Sequence, residues 1–308
     1  PSPTMLGIRR IAALSAARGV IPRVRSLAPR PALRHEFPAM LSSSPPTENA
    51  QVLVAVDKGI GGDPRMALVT MGRKPVNSLN LDLIHGLTAA IHELEQDPDV
   101  QGFVLASGCK KVFCAGLDLM VMHEPKEDEL AEFWTALQNL WAVLYGTRLA
   151  TVAAVQGAAP AAGCLLAISC DYRVMGKGYG LGMNETKFGL VAPPWFQSTL
   201  INTVGNRKAE HMLMRGTMVP SGEALKIGLI DEEVEEENVL EAAQKELLAL
   251  VSVSDKARHT TKMALRMPLI GSMKSVFEMD KNWFMEWVQA PEIQEGLSAY
   301  ISSLKKAK

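Results

Sequence analysis

From residue 52 onward, apolar positions along the chain fall into two alternating periods. Residues 52–56 and 66–70 are short runs rich in Val, Leu and Met, separated by Gly59-Ile-Gly-Gly-Asp-Pro64, and predict two strands joined by a turn. A helical period follows. Leu83, Ile84, Leu87, Ala90, Ile91 and Leu94 share one face, Asn80 is the predicted cap, and Asp97-Pro98 is the stop. Residues 101–106 then predict a buried strand, and strand, helix, strand in that order implies a right-handed crossover and an α/β fold. Residues 127–145 place Phe133, Trp134, Leu137, Leu140, Trp141 and Leu144 at helical spacing, which predicts a core-facing helix. A strand over 150–155 precedes a helix apolar on every side, and a helix of that kind runs through a core. A strand resumes at 171.

The last third of the chain is predicted helical. Helices are read over 206–215 and 221–227, then over 238–251, 254–267, 272–289 and 291–304. The acidic run 231–237 is read as a solvated helix entry, with negative charge at the favourable end.

Residues 1–50 are of a different kind. Seven arginines, from Arg9 to Arg34, precede the first acid, Glu36, and lysine is absent. This is the composition of a mitochondrial transit leader, with Met5 read as the initiator; a basic arm for an anionic partner is the alternative. The whole chain has 32 Lys+Arg against 33 Asp+Glu, a balance that gives no global argument for nucleic acid or an anionic membrane surface. No apolar run approaches the roughly 20 residues of a spanning helix. The four cysteines (Cys109, Cys114, Cys164 and Cys170) lack metal-site spacing and are expected as buried free thiols; no metal or redox cofactor is expected.

Three stretches carry candidate chemistry. Val112-Phe-Cys-Ala-Gly-Leu-Asp-Leu-Met120 is a strand ending in a small-residue turn that opens a helix, with backbone N–H groups left free to meet an anionic oxygen. Gln156-Gly-Ala-Ala-Pro-Ala-Ala-Gly-Cys164 repeats that arrangement at the start of the apolar helix. Leu181-Gly-Met-Asn-Glu-Thr-Lys-Phe-Gly-Leu-Val-Ala-Pro-Pro-Trp195 holds one carboxylate, Glu185, among apolar neighbours, where scarce water raises proton affinity toward that of a general base.

These stretches resemble the crotonase (enoyl-CoA hydratase/isomerase) family. Residues 152–172 follow the family signature of an apolar strand, a glycine, a row of small residues and a helix ending in Cys-Asp-aromatic. Residues 113–118 and 221–234 match two further family segments, so the likeness spans about 52–305. Pro75-Val-Asn-Ser-Leu79, Asn184-Glu-Thr186 and Ala192-Pro-Pro-Trp-Phe196 resemble the mitochondrial 3,2-enoyl-CoA isomerases of the family in particular.

The resemblance implies a crotonase (ClpP-like) spiral of repeated ββα units over 51–235, and a helical trimerisation region over 236–308. It implies an acyl-CoA thioester substrate whose enolate oxygen is held by the N–H groups of Leu117 and Ala162. The wider substrate site comprises Ala115, Gly116, Leu117, Asp118, Leu119, Ala162 and Asn184. Glu185 is the implied base, and Asp118 is read as a helix-start residue rather than a base. Hydratases of the family carry a second glutamate where this chain has Leu165, which favours proton shuttling over water addition. A hydratase, and a crotonase-fold protein that binds RNA or a partner without catalysis, are the alternatives. Lys256, Arg258, Lys262 and Arg266 are candidates for the CoA phosphates or for a solvated basic face. The resemblance also implies a homotrimer, or a pair of trimers, in the mitochondrial matrix.

Overall fold

The computed structural model describes residues 53–306, so the expected leader lies outside it. The first elements are β1 (Val54–Lys58), β2 (Met66–Met71), α1 (Leu81–Gln96), β3 (Gly102–Ser107), β4 (Lys111–Val112), α2 (Leu119–Met122) and α3 (Glu127–Gly146). Then come β5 (Ala150–Val155), β6 (Gly157–Pro160), α4 (Ala162–Ser169), β7 (Tyr172–Gly176), β8 (Gly180–Gly182), α5 (Pro194–Val204) and α6 (Asn206–Arg215). The chain closes with β9 (Val219–Pro220), α7 (Ser221–Lys226), β10 (Glu232–Val234), α8 (Val239–Val251), α9 (Asp255–Lys274), α10 (Phe277–Val288) and α11 (Pro291–Lys306).

After an opening hairpin, consecutive strands part company. β3, β5 and β7 lie parallel in a sheet of order β1-β2-β3-β5-β7-β10, while the strands that follow each of them join a smaller sheet of order β4-β6-β8-β9. Each turn of the chain gives one strand to each sheet and then a helix, which is the spiral of ββα units.

Side-chain alternation explains why both faces of the larger sheet are covered. Val104, Ala106, Val152, Ala154 and Val174 pack on α8 through Val239, Ala243 and Leu247. Phe103, Leu105, Ala153, Val155 and Met175 point into the main core with α1, α3 and α4. β5, buried at all six positions, accordingly reads as a run apolar but for Thr151. Aromatic residues lock the helices together: Trp134 stacks on Phe284 at 3.5 Å between ring centroids. The indole N–H groups of Trp134 and Trp195 and the Gln138 amide all donate to Asp280 Oδ2, joining α3, α5 and α10.

Four expectations about the tail need correction. The acidic run enters a helix only at its end: Glu232–Val234 pairs in parallel with β7 and Arg173 bonds Asp231 at 2.6 Å, while exposed Glu236 and Glu237 open the 3₁₀ turn that leads into α8. The helix expected to end at 267 continues through Pro268 to Lys274. A proline inside a helix costs about 3 kcal/mol; here the following turn buries Ile270 against α3, and that packing offsets it. The next helix is correspondingly shorter than predicted, starting at Phe277.

Of the four basic residues of α9 expected to meet phosphates or solvent, Lys256 is exposed, and Arg258, Lys262 and Arg266 form neither a phosphate site nor a solvated face. Lys262, buried to 7% exposure, donates to Leu149 O and pairs with Asp171 at 2.9 Å. Arg266 pairs with Asp171 and bonds the Tyr145 and Ser169 carbonyls, while Arg258 reaches the Arg148 and Gln101 carbonyls. They clamp α9 to the core. Burial pushes the Lys262 ammonium down to about 8, against the pull of Asp171.

Candidate active site

Two backbone turns and the buried carboxylate of Glu185 meet at a cavity of about 610 Å³, which Asp118 also lines. The first turn leaves β4 and is pinned from both sides. Buried Asn77 donates through Nδ2 to Ser107 Oγ and the Phe113 carbonyl, and Ala115 N–H donates to Val76 O. Leu79 N–H donates to Gly116 O and its carbonyl accepts from Asp118 N–H, at 2.8 and 2.9 Å. Those bonds straddle Leu117, so its own N–H faces away from Leu79 and donates to no described residue. Gly116 sits at φ 91°, where a side chain is strained.

Asp118 is a helix-start residue, as the sequence suggests. Its carboxylate accepts from Met120 N–H at 3.1 Å and pairs with Arg73 at 2.7 Å.

The second turn joins β6 to α4. Ala161 lies at φ 52° with its N–H bonded to Gly182 O, and Ala162 opens the helix with an N–H that has no acceptor within it. The two turns touch. A Cβ on Gly116 would lie 3.1 Å from the Ala161 Cβ and 3.5 Å from Ala162 N, and one on Gly163 would lie 2.1 Å from the Cys114 carbonyl oxygen. Only glycine at position 163 lets α4 approach the first turn this closely, and the approach brings the Ala162 nitrogen against Gly116, the residue before Leu117.

Glu185 begins a 3₁₀ turn, Glu185–Phe188, that follows β8. Both carboxylate oxygens are shut off from solvent and neither has a hydrogen-bond partner among the described residues. Burial pushes the carboxyl from 4.5 to about 7. Behind it, burial and then the nearby Glu185 charge push the Cys164 thiol up. All four cysteines are buried free thiols.

Of the residues anticipated from sequence, Ala115, Leu117, Asp118, Leu119, Asn184 and Glu185 line the cavity. Gly116 and fully buried Ala162 stand behind its wall. Asn184 also shapes the turn, its carbonyl accepting from Lys187 N–H.

Sequence reasoning missed Arg73, Lys74, Phe188, Tyr300 and Ile301, which also line the cavity. Tyr300 and Ile301 arrive from α11, more than 100 residues beyond Glu185 in the chain, and no local motif announces them. Phe188 meets Tyr300 at 4.1 Å between centroids, and Gln294 ties α11 to α2 by accepting from Glu124 N–H and donating to Met122 O. The tail thus closes the cavity of its own chain. A smaller cavity of about 200 Å³ lies on the far side of Glu185, lined by Val191, Gln197 and Met214.

The chain matches known proteins over most of its length. The family model described as enoyl-CoA hydratase/isomerase matches residues 63–307. The mitochondrial enoyl-CoA delta isomerase 1 of Mus musculus is 37% identical over 262 residues, covering 84% of this chain and 89% of that protein. The Homo sapiens protein of the same name is 37% identical over 260 residues, covering 84% and 85%. The crystal structure of human mitochondrial delta3-delta2-enoyl-CoA isomerase superposes with a TM-score of 0.81 at 36% identity, covering 83% of this chain and 100% of that one. A spiral of ββα units, two touching small-residue turns and a matching family model lead to one conclusion: the chain belongs to the enoyl-CoA hydratase/isomerase family, the crotonases.

Proposed function

We propose that this protein isomerises 3-enoyl-CoA thioesters, cis or trans, to trans-2-enoyl-CoA. The observation that carries the reading is Glu185, a single solvent-shielded carboxylate with no hydrogen-bond partner and a pKa of about 7, lining the same cavity as Leu117 and Ala161. The thioester oxygen sits between the N–H groups of Leu117 and Ala162. Such preorganised donors stabilise the developing enolate by about 2.7–4 kcal/mol each. Glu185 removes a proton from C2, the electrons of that C–H bond form the enolate, and the protonated carboxyl returns the proton to C4. The double bond moves into conjugation with the thioester. No electrons leave the substrate, so the cycle calls for no redox group.

One carboxylate suits this cycle better than water addition. At the position that carries the second glutamate in hydratases, α4 presents Leu165, 2% exposed and packed in the core. An aliphatic side chain cannot hold the far side of an attacking water. The apolar wall of Phe188, Leu190, Met122 and Ile301 fits an acyl chain, and we assign exposed Lys74 at the rim to the CoA phosphates.

The names of the relatives support a mitochondrial setting, in which the enzyme serves oxidation of unsaturated fatty acids in the matrix after loss of the leader. Assembly as a trimer, or a pair of trimers, through the helical tail belongs to the same proposal. The test is a turnover assay on trans-3-enoyl-CoA, following growth of the conjugated thioester absorbance, with a parallel cuvette of 2-enoyl-CoA to detect hydration. Conjugation outpacing hydration supports the reading, and hydration as the dominant reaction overturns it.

A further inference from the structure

A second cavity, about 790 Å³, opens on the surface between α6 and the segment leading into α7. Arg207, His211 and Arg215 recur every fourth residue along one face of α6, with Lys208 beside them, and all four line the cleft. Lys208, His211 and Arg215 have no ion-pair partner among the described residues, and Arg207 meets Glu210 at the surface. Glu223 is the acid among the cleft's described lining residues, and Lys226 lies 4.0 Å from it. The floor is apolar, built from Met212, Val219 and Ile227. Cations along one wall above an apolar floor match a ligand with a negative head and a hydrocarbon body.

The cleft also backs onto the turn that carries Glu185. Thr217, in its wall, lays its carbonyl so close over Gly182 that a Cβ there would lie 2.2 Å from the oxygen. A Cβ on Gly216, next to it, would lie 2.8 Å from Thr186 Oγ1, 2.9 Å from Lys187 Cγ and 3.1 Å from the Asn184 carbonyl oxygen. Thr186 Oγ1 donates to the Leu213 carbonyl at 2.9 Å. One continuous packing path therefore joins the cationic helix to residues 182–187.

We propose that this cleft is a binding site for an amphipathic anion, a phosphate or carboxylate on a hydrocarbon chain, and that its occupant steadies the Glu185 turn from behind. The site is separate from the catalytic cavity and does not rest on the isomerase reading.

The test is calorimetric titration of the full chain with octyl phosphate and with octanoate, each below its aggregation concentration. Inorganic phosphate and octanol serve as head-only and tail-only probes. Amide hydrogen exchange is followed with and without ligand. At least one amphiphile binds, the half-probes bind more weakly, and the preferred head group tells phosphate from carboxylate. The exposed pair Lys208→Glu and Arg215→Glu weakens binding about tenfold. Glu223→Lys tightens it, which keeps the test decisive should the double variant fold poorly. Ligand slows exchange in residues 206–215 and also in 183–189. No binding, binding unchanged in these variants, or inorganic phosphate as tight as octyl phosphate overturns the site. Protection confined to 206–215 overturns the coupling.

Discussion

Replacing Glu185 by Gln tests the electrostatics of the site without any substrate. Folding takes this carboxyl from water, where it titrates at 4.5, to an enclosure where it titrates at about 7. The folded state therefore holds the proton more tightly than the unfolded state does. Stability is undiminished below pH 4.5, declines as pH rises through the interval, and carries the full ionisation penalty above about 7. At about 1.36 kcal/mol per pKa unit the penalty is about 3 kcal/mol. Glutamine keeps the shape and cannot ionise, so the variant escapes the penalty. Urea unfolding of both proteins at equal concentration, at pH 4.5 and pH 8, measures the effect. The difference in unfolding free energy between variant and wild type shifts by about 3 kcal/mol in the variant's favour across that range. Contributions from other titrating groups are common to both proteins and cancel. A difference that stays flat with pH refutes the reasoning, because it means that the Glu185 carboxylate is hydrated in the folded protein.

Other consequences follow from the same contacts. Gly163→Ala forces a methyl against the Cys114 carbonyl, so melting temperature falls with a loss of about 1–3 kcal/mol and kcat falls as the two N–H donors separate. Asp171→Asn strips the charge partner from Lys262 and Arg266 and costs about 3–5 kcal/mol in denaturant unfolding. The cysteines are buried, and burial pushes Cys114 and Cys170 up to about 12, so a thiol reagent at pH 8 labels the folded protein slowly and the unfolded protein at once. Tyr300→Ala opens the cavity on the α11 side and raises KM for acyl-CoA more than it lowers kcat.

Elements with a strong local period were legible in the sequence. The face of α1 from Leu83 to Leu94 and the buried run of β5 appear where the pattern puts them, because each buries its own apolar residues. The two small-residue turns and Glu185 were legible too, since the need for close backbone approach selects Gly and Ala locally, at Gly116 and Gly163 above all. What escaped depends on contacts distant in the chain. Pro268 reads as a stop, and only the burial of Ile270 reveals why the helix passes through it. Glu232–Val234 reads as solvated until β7 supplies the edge it pairs with. Lys262 and Arg266 carry the residue types of a phosphate site, but Asp171 and main-chain carbonyls already occupy them. Tyr300 enters the cavity only because α11 folds back onto α2.

The central claim is that Glu185 is the proton shuttle, and the most direct measurement is the rate of 3-enoyl-CoA isomerisation by wild type and Glu185→Gln across pH 5.5–9. The account predicts a wild-type rate that rises with pH and levels off above about 7, as the carboxylate becomes the reactive form. It also predicts a variant slower by about 10²–10⁴-fold at every pH. A Glu185→Gln enzyme that keeps the wild-type rate contradicts the account outright.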